Sequence, residues 1–182
     1  MTLAEDQEAR IAELVRDEVQ RSLRSFRRKT TIVAFSGEMD RLFAALTLAS
    51  ASAACGLETT VFFTFWGLSA LRKPPSRGVR KTWLNRLVGA MLPAGPGALP
   101  VSRRNFGGAG ALFFRWLMRS RNVQSPAEIL TDAQQMGVRL IACQTSLDVL
   151  GLRREELLDG VEIGGAAAFL GEASQSTVTL FV

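Results

Sequence analysis

The sequence predicts an α/β fold: a single three-layer domain around a mostly parallel sheet of four or five strands. Three observations carry this. Short β-branched and aromatic runs at 30–35, 58–65, 138–142 and 176–182 alternate with longer segments of helical pattern, the order that produces strand–helix–strand crossovers. The runs around Ile32 and Leu140 are apolar on both faces, as strands covered by helices on either side are. Glycines stand where helices should stop, at Gly56, Gly137 and Gly151.

Taken in order, residues 1–29 form an N-terminal segment apart from the sheet. Ile11, Leu14 or Val15, Val19, Leu23 and Phe26 recur every three to four residues, so a helix over 3–28 carries one apolar face. Glu5, Asp6 and Glu8 crowd its start and Arg24, Arg27 and Arg28 its end, as the helix dipole favours. Such a helix packs on its own domain or on another subunit. Residues 30–182 then make the α/β domain. Thr30–Phe35 is its first strand, Glu38–Cys55 a helix, and Glu58–Phe65 a second strand, joined by a parallel crossover.

Residues 72–121 break this rhythm. Five prolines and seven glycines separate short apolar patches that include Trp83, Phe113, Phe114 and Trp116. An irregular stretch of this length inside a compact domain points to a functional or partner-bound insert. Regularity returns at Ser125-Pro126-Ala127-Glu128, a helix start with Ser as N-cap and Pro at the first position. Val138–Ala142 is the next strand and delivers Cys143 at its end. Short helices follow at 147–150, 153–158 and 165–172, and Ser176–Val182 is the last strand.

Composition bounds the chemistry. The 182 residues suit one domain and contain no histidine and no tyrosine. That removes imidazole bases, His-ligated metals and Ser-His-Asp triads. Two cysteines cannot build a zinc site or a disulfide framework, so neither metal nor cofactor is expected. No run reaches the roughly 20 apolar residues of a membrane span; the longest candidate, Leu42–Gly56, reads as a buried helix. Few cysteines and an acidic N-terminus without a signal peptide read as cytoplasmic. The charge of +5 is unevenly divided: 72–121 carries eleven Arg/Lys and no acid, whereas 30–71 with 122–182 has four Arg against eleven acids. An acidic body therefore carries a basic insert. Such a segment suits an acidic protein surface, an anionic membrane surface or a neighbouring copy of the chain. Nucleic acid is disfavoured because no binding motif accompanies the charge.

Ligands of open parallel sheets bind at the carboxyl ends of the strands. Three segments end strands there: Ser36-Gly37-Glu38-Met39-Asp40, Thr64-Phe65-Trp66-Gly67 and Ala142-Cys143-Gln144-Thr145-Ser146. Cys143 is the candidate nucleophile, since a helix N-terminus lowers a thiol pKa, and an insert arginine would lower it further. The alternative is a small buried apolar residue. Cys55 ends a helix, where a thiolate is disfavoured, and reads as packing. Ser36-Gly37 before a helix can cradle an anion, with Trp66 either a core residue or a platform for a nucleotide or coenzyme A. Glu38 and Asp40 read as charges complementing the helix dipole.

These residues resemble a known family. Val33–Asp40, the run Phe62-Phe63-Thr64-Phe65-Trp66-Gly67-Leu68, and Ala142-Cys143-Gln144-Thr145-Ser146-Leu147-Asp148-Val149-Leu150-Gly151 are similar to the DsrE/DsrF/DsrH-like family, in the branch often labelled "peroxiredoxin family protein". Met91–Gly95, Gly160–Gly165 and Leu180–Val182 extend the likeness over residues 30–182. The resemblance implies a DsrE-like fold, a homo-oligomer, and sulfur relay or sulfurtransferase activity, with Cys143 carrying a persulfide between donor and acceptor proteins of TusA-like or rhodanese-like kind. Members tend to carry Met where Thr145, Leu147 and Leu150 stand, which leaves the thiol untouched. No Pro-x-x-x-[Thr/Ser]-x-x-Cys arrangement precedes Cys143, so peroxidase chemistry is not expected. Persulfide transfer needs an accessible thiolate, a stabilising environment and a docking surface, but no histidine. The other readings of the chain are a small-ligand module on Ser36, Gly37 and Trp66, and a membrane-peripheral scaffold anchored through 72–121. The insert is expected to fold over the Cys143 end of the sheet as a positive pocket wall and to bring one of Trp83, Phe113, Phe114 or Trp116 into a subunit contact.

Overall fold

In the computed structural model, residues 3–25, 28–74, 92–102 and 106–182 are described. The elements are α1 (Leu3–Ser25), β1 (Lys29–Ala34), α2 (Met39–Ala54), β2 (Glu58–Phe63), α3 (Ala109–Ser120), α4 (Pro126–Gln135), β3 (Arg139–Cys143), α5 (Gln144–Leu150), β4 (Glu162–Gly164), α6 (Ala166–Ala173) and β5 (Val178–Phe181). Short 3-10 turns add Phe65–Leu71, Pro96–Ala98, Phe106–Gly108 and Arg154–Glu156. The strands form one five-stranded sheet in the order β4-β3-β2-β1-β5, and every pairing is parallel.

Every residue of β1 is buried, which is why its sequence shows no apolar–polar alternation. Its two faces meet different partners. Ile32 and Ala34, with Val61 and Phe63 of β2 and Leu140 and Ala142 of β3, pack under α2 and α4. Ala45 and Ala49 of α2 are fully buried; their small side chains let the helix sit close to the sheet. The Ser125 start of α4 is a complete capping box: the Ser125 hydroxyl accepts from the Glu128 N–H, and the Glu128 carboxylate accepts from the Ser125 N–H at 2.7 Å. Gly137, at φ +82°, ends the turn in a conformation that favours glycine. The opposite face carries Phe62, Ile141 and Cys143, against which Phe169 of α6 packs with ring centroids 5.3 Å apart from Phe62.

An ion-pair cluster holds α6 over this second face. Arg139 bonds Glu162 of β4 at 2.7 Å and Glu172 of α6 at 2.6 Å. Glu172 also meets the buried Lys29 ammonium of β1 at 3.2 Å, and Lys29 reaches Glu58 of β2 at 3.4 Å. One helix is thereby fastened to strands on both sides of the sheet's centre.

The expected four or five strands prove to be five, and the reading of the insert changes. The sheet has five strands because β4, three residues long, pairs in register with Ile141–Cys143; so short a run has no readable period. The insert is not irregular throughout, since α3 is a regular helix of 12 residues. It starts beside Gly108, which is left-handed at φ +101°, and the neighbouring glycines mask the helix in the sequence. Residues 92–102 pack onto the body. Leu92 and Leu99 lie in the core, and the buried Arg72 guanidinium donates to the carbonyls of Leu92 and Pro93 at 2.8 and 3.3 Å. The Met39 N–H donates to the Pro100 carbonyl at 2.7 Å, and the Ser102 hydroxyl donates to the Asp40 carboxylate at 2.6 Å. These bonds stitch the segment to the start of α2. Trp83 lies outside the described residues. Leu112, Phe113 and Trp116 of α3 are exposed, with Phe113 stacked on Trp116 at 5.8 Å. Residues 10–20 of α1 are exposed along their whole length. Among the described residues, no helix is long and apolar enough to cross a membrane.

Candidate functional site

Three neighbouring strands end on one side of the sheet, so the segments after Ala34, Phe63 and Ala142 adjoin. Cys143 is both the last residue of β3 and the N-cap of α5. Its side chain belongs to the second-face cluster and is 7% exposed. Burial pushes its thiol pKa up, but hydrogen bonds to sulfur outweigh this and hold it below the ordinary thiol value. They come from the Ser146 hydroxyl and N–H, the Thr64 hydroxyl and the Thr145 N–H. The two N–H groups belong to the first turn of α5, where backbone donors have no helical acceptor. The two hydroxyls bond each other at 2.9 Å, and Ser146 is buried. Because one of the two hydroxyl hydrogens lies between Thr64 and Ser146, a thiolate at this position is met at once by one hydroxyl and the two N–H groups in a sheltered setting, a stabilisation of hydrogen-bond type. None of the described arginines of the insert is among these groups.

Sequence reasoning missed Thr64 and Ser146. Ser146 stands three residues after Cys143, the spacing of a helical turn, and that was the available signal. Thr64 is brought in only by the β2–β3 pairing, in which Phe63 lies beside Ala142.

The Ser36-Gly37 turn is differently occupied from the anion cradle that its sequence suggests. The buried Ser36 hydroxyl accepts from the Glu38 N–H at 3.1 Å and donates to the Glu38 carboxylate at 3.2 Å. Arg41 pairs with the same carboxylate at 2.9 Å. The turn therefore already holds a negative group and orders the start of α2. At Gly37 a Cβ would stand 2.9 Å from the Trp66 carbonyl oxygen, and at Gly67 one would stand 2.1 Å from the Ala34 carbonyl oxygen. These glycines let the ends of β1 and β2 touch. The Gly67 N–H donates to the Phe35 carbonyl at 2.9 Å across that seam. Phe65 is held at φ +45°, a strained conformation for a bulky residue.

Trp66 is 51% exposed, which corrects its reading as a core residue. It belongs to an aromatic rim that the sequence did not reveal. Phe35, Phe65 and Phe181 are also exposed. The Phe35 ring lies 5.6 Å from Phe65 and 5.9 Å, stacked, from Phe181. The signal was an aromatic residue at or just after the end of three strands. Of the described insert arginines, Arg115 and Arg119 line a cleft of about 490 Å³ with Met39, Met118 and Ser125, and Cys143 does not line it. Among the described residues, no group of His, Cys, Asp and Glu is placed to hold a metal.

A family model describing the DsrE/DsrF/DrsH-like family matches residues 27–181. The chain belongs to that family. Among DsrE-like relatives, it is 40% identical over 155 residues to a Bacillus subtilis protein named Uncharacterized protein YrkE, covering 85% of this chain and 97% of the relative. It is 35% identical over 159 residues to the sulfur carrier protein DsrE2 of Allochromatium vinosum, covering 85% of this chain and 98% of the relative. The crystal structure of the E. coli ychN protein superposes with a TM-score of 0.54 at 18% identity, over 85% of this chain and 99% of that one. This likeness identifies the DsrE-like architecture of the sheet and its helices. The matched residues include all five strands and Cys143, and leave α1 outside the DsrE-like part.

Proposed function

We propose that this chain is a sulfur-relay protein that carries persulfide sulfur on Cys143 between a donor and an acceptor protein. The observation that carries the reading is the depressed pKa of the Cys143 thiol, met by the Ser146 and Thr64 hydroxyls at a strand–helix junction. Membership of the DsrE/DsrF/DrsH-like family and a relative named as a sulfur carrier support it.

The chemistry balances without an oxidant. The Cys143 thiolate attacks the outer sulfur of a donor persulfide; the donor S–S bond breaks and the donor leaves as a thiolate. The acceptor thiolate then attacks the outer sulfur now on Cys143 and releases the Cys143 thiolate. Ser146, Thr64 and the first-turn N–H groups stabilise that thiolate as attacking and as leaving group. The exposed ring of Phe35, Phe65, Trp66 and Phe181 supplies an apolar docking surface beside the strand ends. In this reading the partners are TusA-like or rhodanese-like proteins, the setting is the reducing cytoplasm, and the chain works as a homo-oligomer.

The test is intact-mass measurement after treatment with a polysulfide donor. Wild type should gain about 32 Da per sulfur atom. Cys143→Ser should gain nothing, and Cys55→Ser should behave as wild type. A wild type without the adduct, or a Cys143→Ser variant that retains it, would end this reading.

A further inference from the structure

We propose that the cleft between α3 and the start of α4 binds an organic carboxylate with an apolar tail, of the kind a medium-chain alkanoate represents. The inference is independent of the chemistry at Cys143, which does not line the cleft. Its volume of about 490 Å³ falls within the roughly 300–1,000 Å³ of small-molecule sites. Arg115 and Arg119 stand one helical turn apart on α3, so they share a flank of that helix. The Arg115 guanidinium donates to the Leu99 carbonyl at 3.1 Å, which fixes it at the wall. Its Nε is buried and has no partner among the described residues. A guanidinium presents five N–H donors, and one left buried and unmade is costly.

The charge count selects the head group. Between Glu58 and Glu128 the chain has no acid, and among the described residues neither arginine forms an ion pair with a carboxylate. Glu128 also lines the cleft and feels the charge of Arg119, but its carboxylate accepts from the Ser125 N–H and hydroxyl at 2.7 and 2.8 Å. Two guanidinium charges against one carboxylate leave one positive charge, which matches a monoanion better than a phosphate dianion. Guanidinium and carboxylate also fit each other as a fork. The walls select the rest of the ligand. Met39, Met118, Val123 and Pro126 line the cleft, and thioether side chains adapt to a flexible apolar chain. Among the described residues no aromatic ring lines it, so a nucleobase would have no platform on which to stack.

The experiment is calorimetric titration of the full-length chain with sodium octanoate below its micelle concentration. Wild type should bind it saturably, one per chain. Octylammonium, of equal length and opposite charge, and inorganic phosphate, which lacks the tail, should each bind at least about tenfold more weakly. Arg115→Gln and Arg119→Gln should each weaken octanoate binding by about tenfold. Because Arg115 also holds the Leu99 carbonyl, a third variant guards against a loss of folding. Ala127→Asp adds a negative charge to the first turn of α4, where the helix dipole favours it, so its melting temperature should not fall while octanoate affinity drops about tenfold. Cys143→Ser should bind as wild type does. A wild type with no saturable binding at millimolar octanoate would overturn the proposal. So would octylammonium or phosphate binding as tightly as octanoate, Arg119→Gln and Ala127→Asp binding as wild type does, or loss of binding in Cys143→Ser.

Discussion

At the scale of single residues, the thiol of Cys143 is governed by neighbours that carry no charge. Ser146→Ala removes one hydroxyl donor and should raise the pH at which Cys143 becomes reactive; Thr64→Val should do the same to a smaller extent. The pH profile of alkylation by a small haloacetamide, read at Cys143 by peptide mass, checks this. A profile unmoved in both variants would remove the hydroxyls from the account. Gly67→Ala is expected to be severe, because its Cβ would stand 2.1 Å from the Ala34 carbonyl oxygen. The ends of β1 and β2 would have to part, at a cost of roughly 2–3 kcal/mol, measurable by urea unfolding. The position of Cys143 was legible in the sequence because a buried run, a cysteine and a helical pattern follow one another. Its donors were only half legible. Ser146 is local, whereas Thr64 reaches the sulfur through strand pairing, which a linear reading does not supply. Trp66 was ambiguous for a related reason: an indole after a strand suits core and surface equally until the turn at Phe65 is known.

At the scale of elements, the attachment of α6 depends on ionisation. The Arg139 guanidinium, bonded to both carboxylates, holds Glu162 and Glu172 below the ordinary carboxylate value, and Lys29 adds to the effect on Glu172. A carboxylate depressed in the folded state contributes stability that is complete above its unfolded value of about 4.5 and is lost as pH falls through the lower folded value. The native chain should therefore lose stability below about pH 4.5, with α6 and β5 loosening first. In Glu172→Gln that acid-side loss should be smaller, while stability at neutral pH is lower than in wild type. Hydrogen exchange of residues 166–181 between pH 3 and 7 reads both effects. These elements also show where sequence patterns lose force. The start of α4 was plain in Ser125, Pro126 and Glu128, since a capping box is written within four residues. The strand β4 was not, because three residues contain no period, and α3 was hidden because glycine runs ordinarily end helices rather than precede them.

At the scale of the whole molecule, the two cysteines differ in setting. Cys55 is exposed just past α2, before β2 begins, and Cys143 is buried where β3 ends. A bulky maleimide should label Cys55 in the native protein and leave Cys143 unmodified until denaturant is added; a small reagent should reach both. Equal labelling of the two by the bulky reagent would contradict the burial described here. Exposed apolar surface is unevenly placed as well. Phe181 and Trp66 stand at the strand ends, and Phe113 and Trp116 on α3. Surfaces of this kind on a small domain mark places where other molecules bind. The charge contrast between residues 72–121 and the remaining α/β body was plain in the sequence. Which arginines face a cleft was not, because that depends on how α3 lies against the start of α4.

The sheltered sulfur of Cys143 has a regiochemical consequence for the proposed relay. A persulfide offers two electrophilic atoms to an incoming thiolate. Attack on the outer one passes the cargo on. Attack on the inner one expels hydrosulfide and leaves carrier and acceptor joined by a mixed disulfide, which stalls both. With only 7% of Cys143 exposed, the inner atom is screened by the sheet and by the first turn of α5, and the outer atom is the one presented. The depth of the thiol thus sets which bond breaks, so that productive hand-over is chosen by geometry before any difference in leaving-group strength is felt.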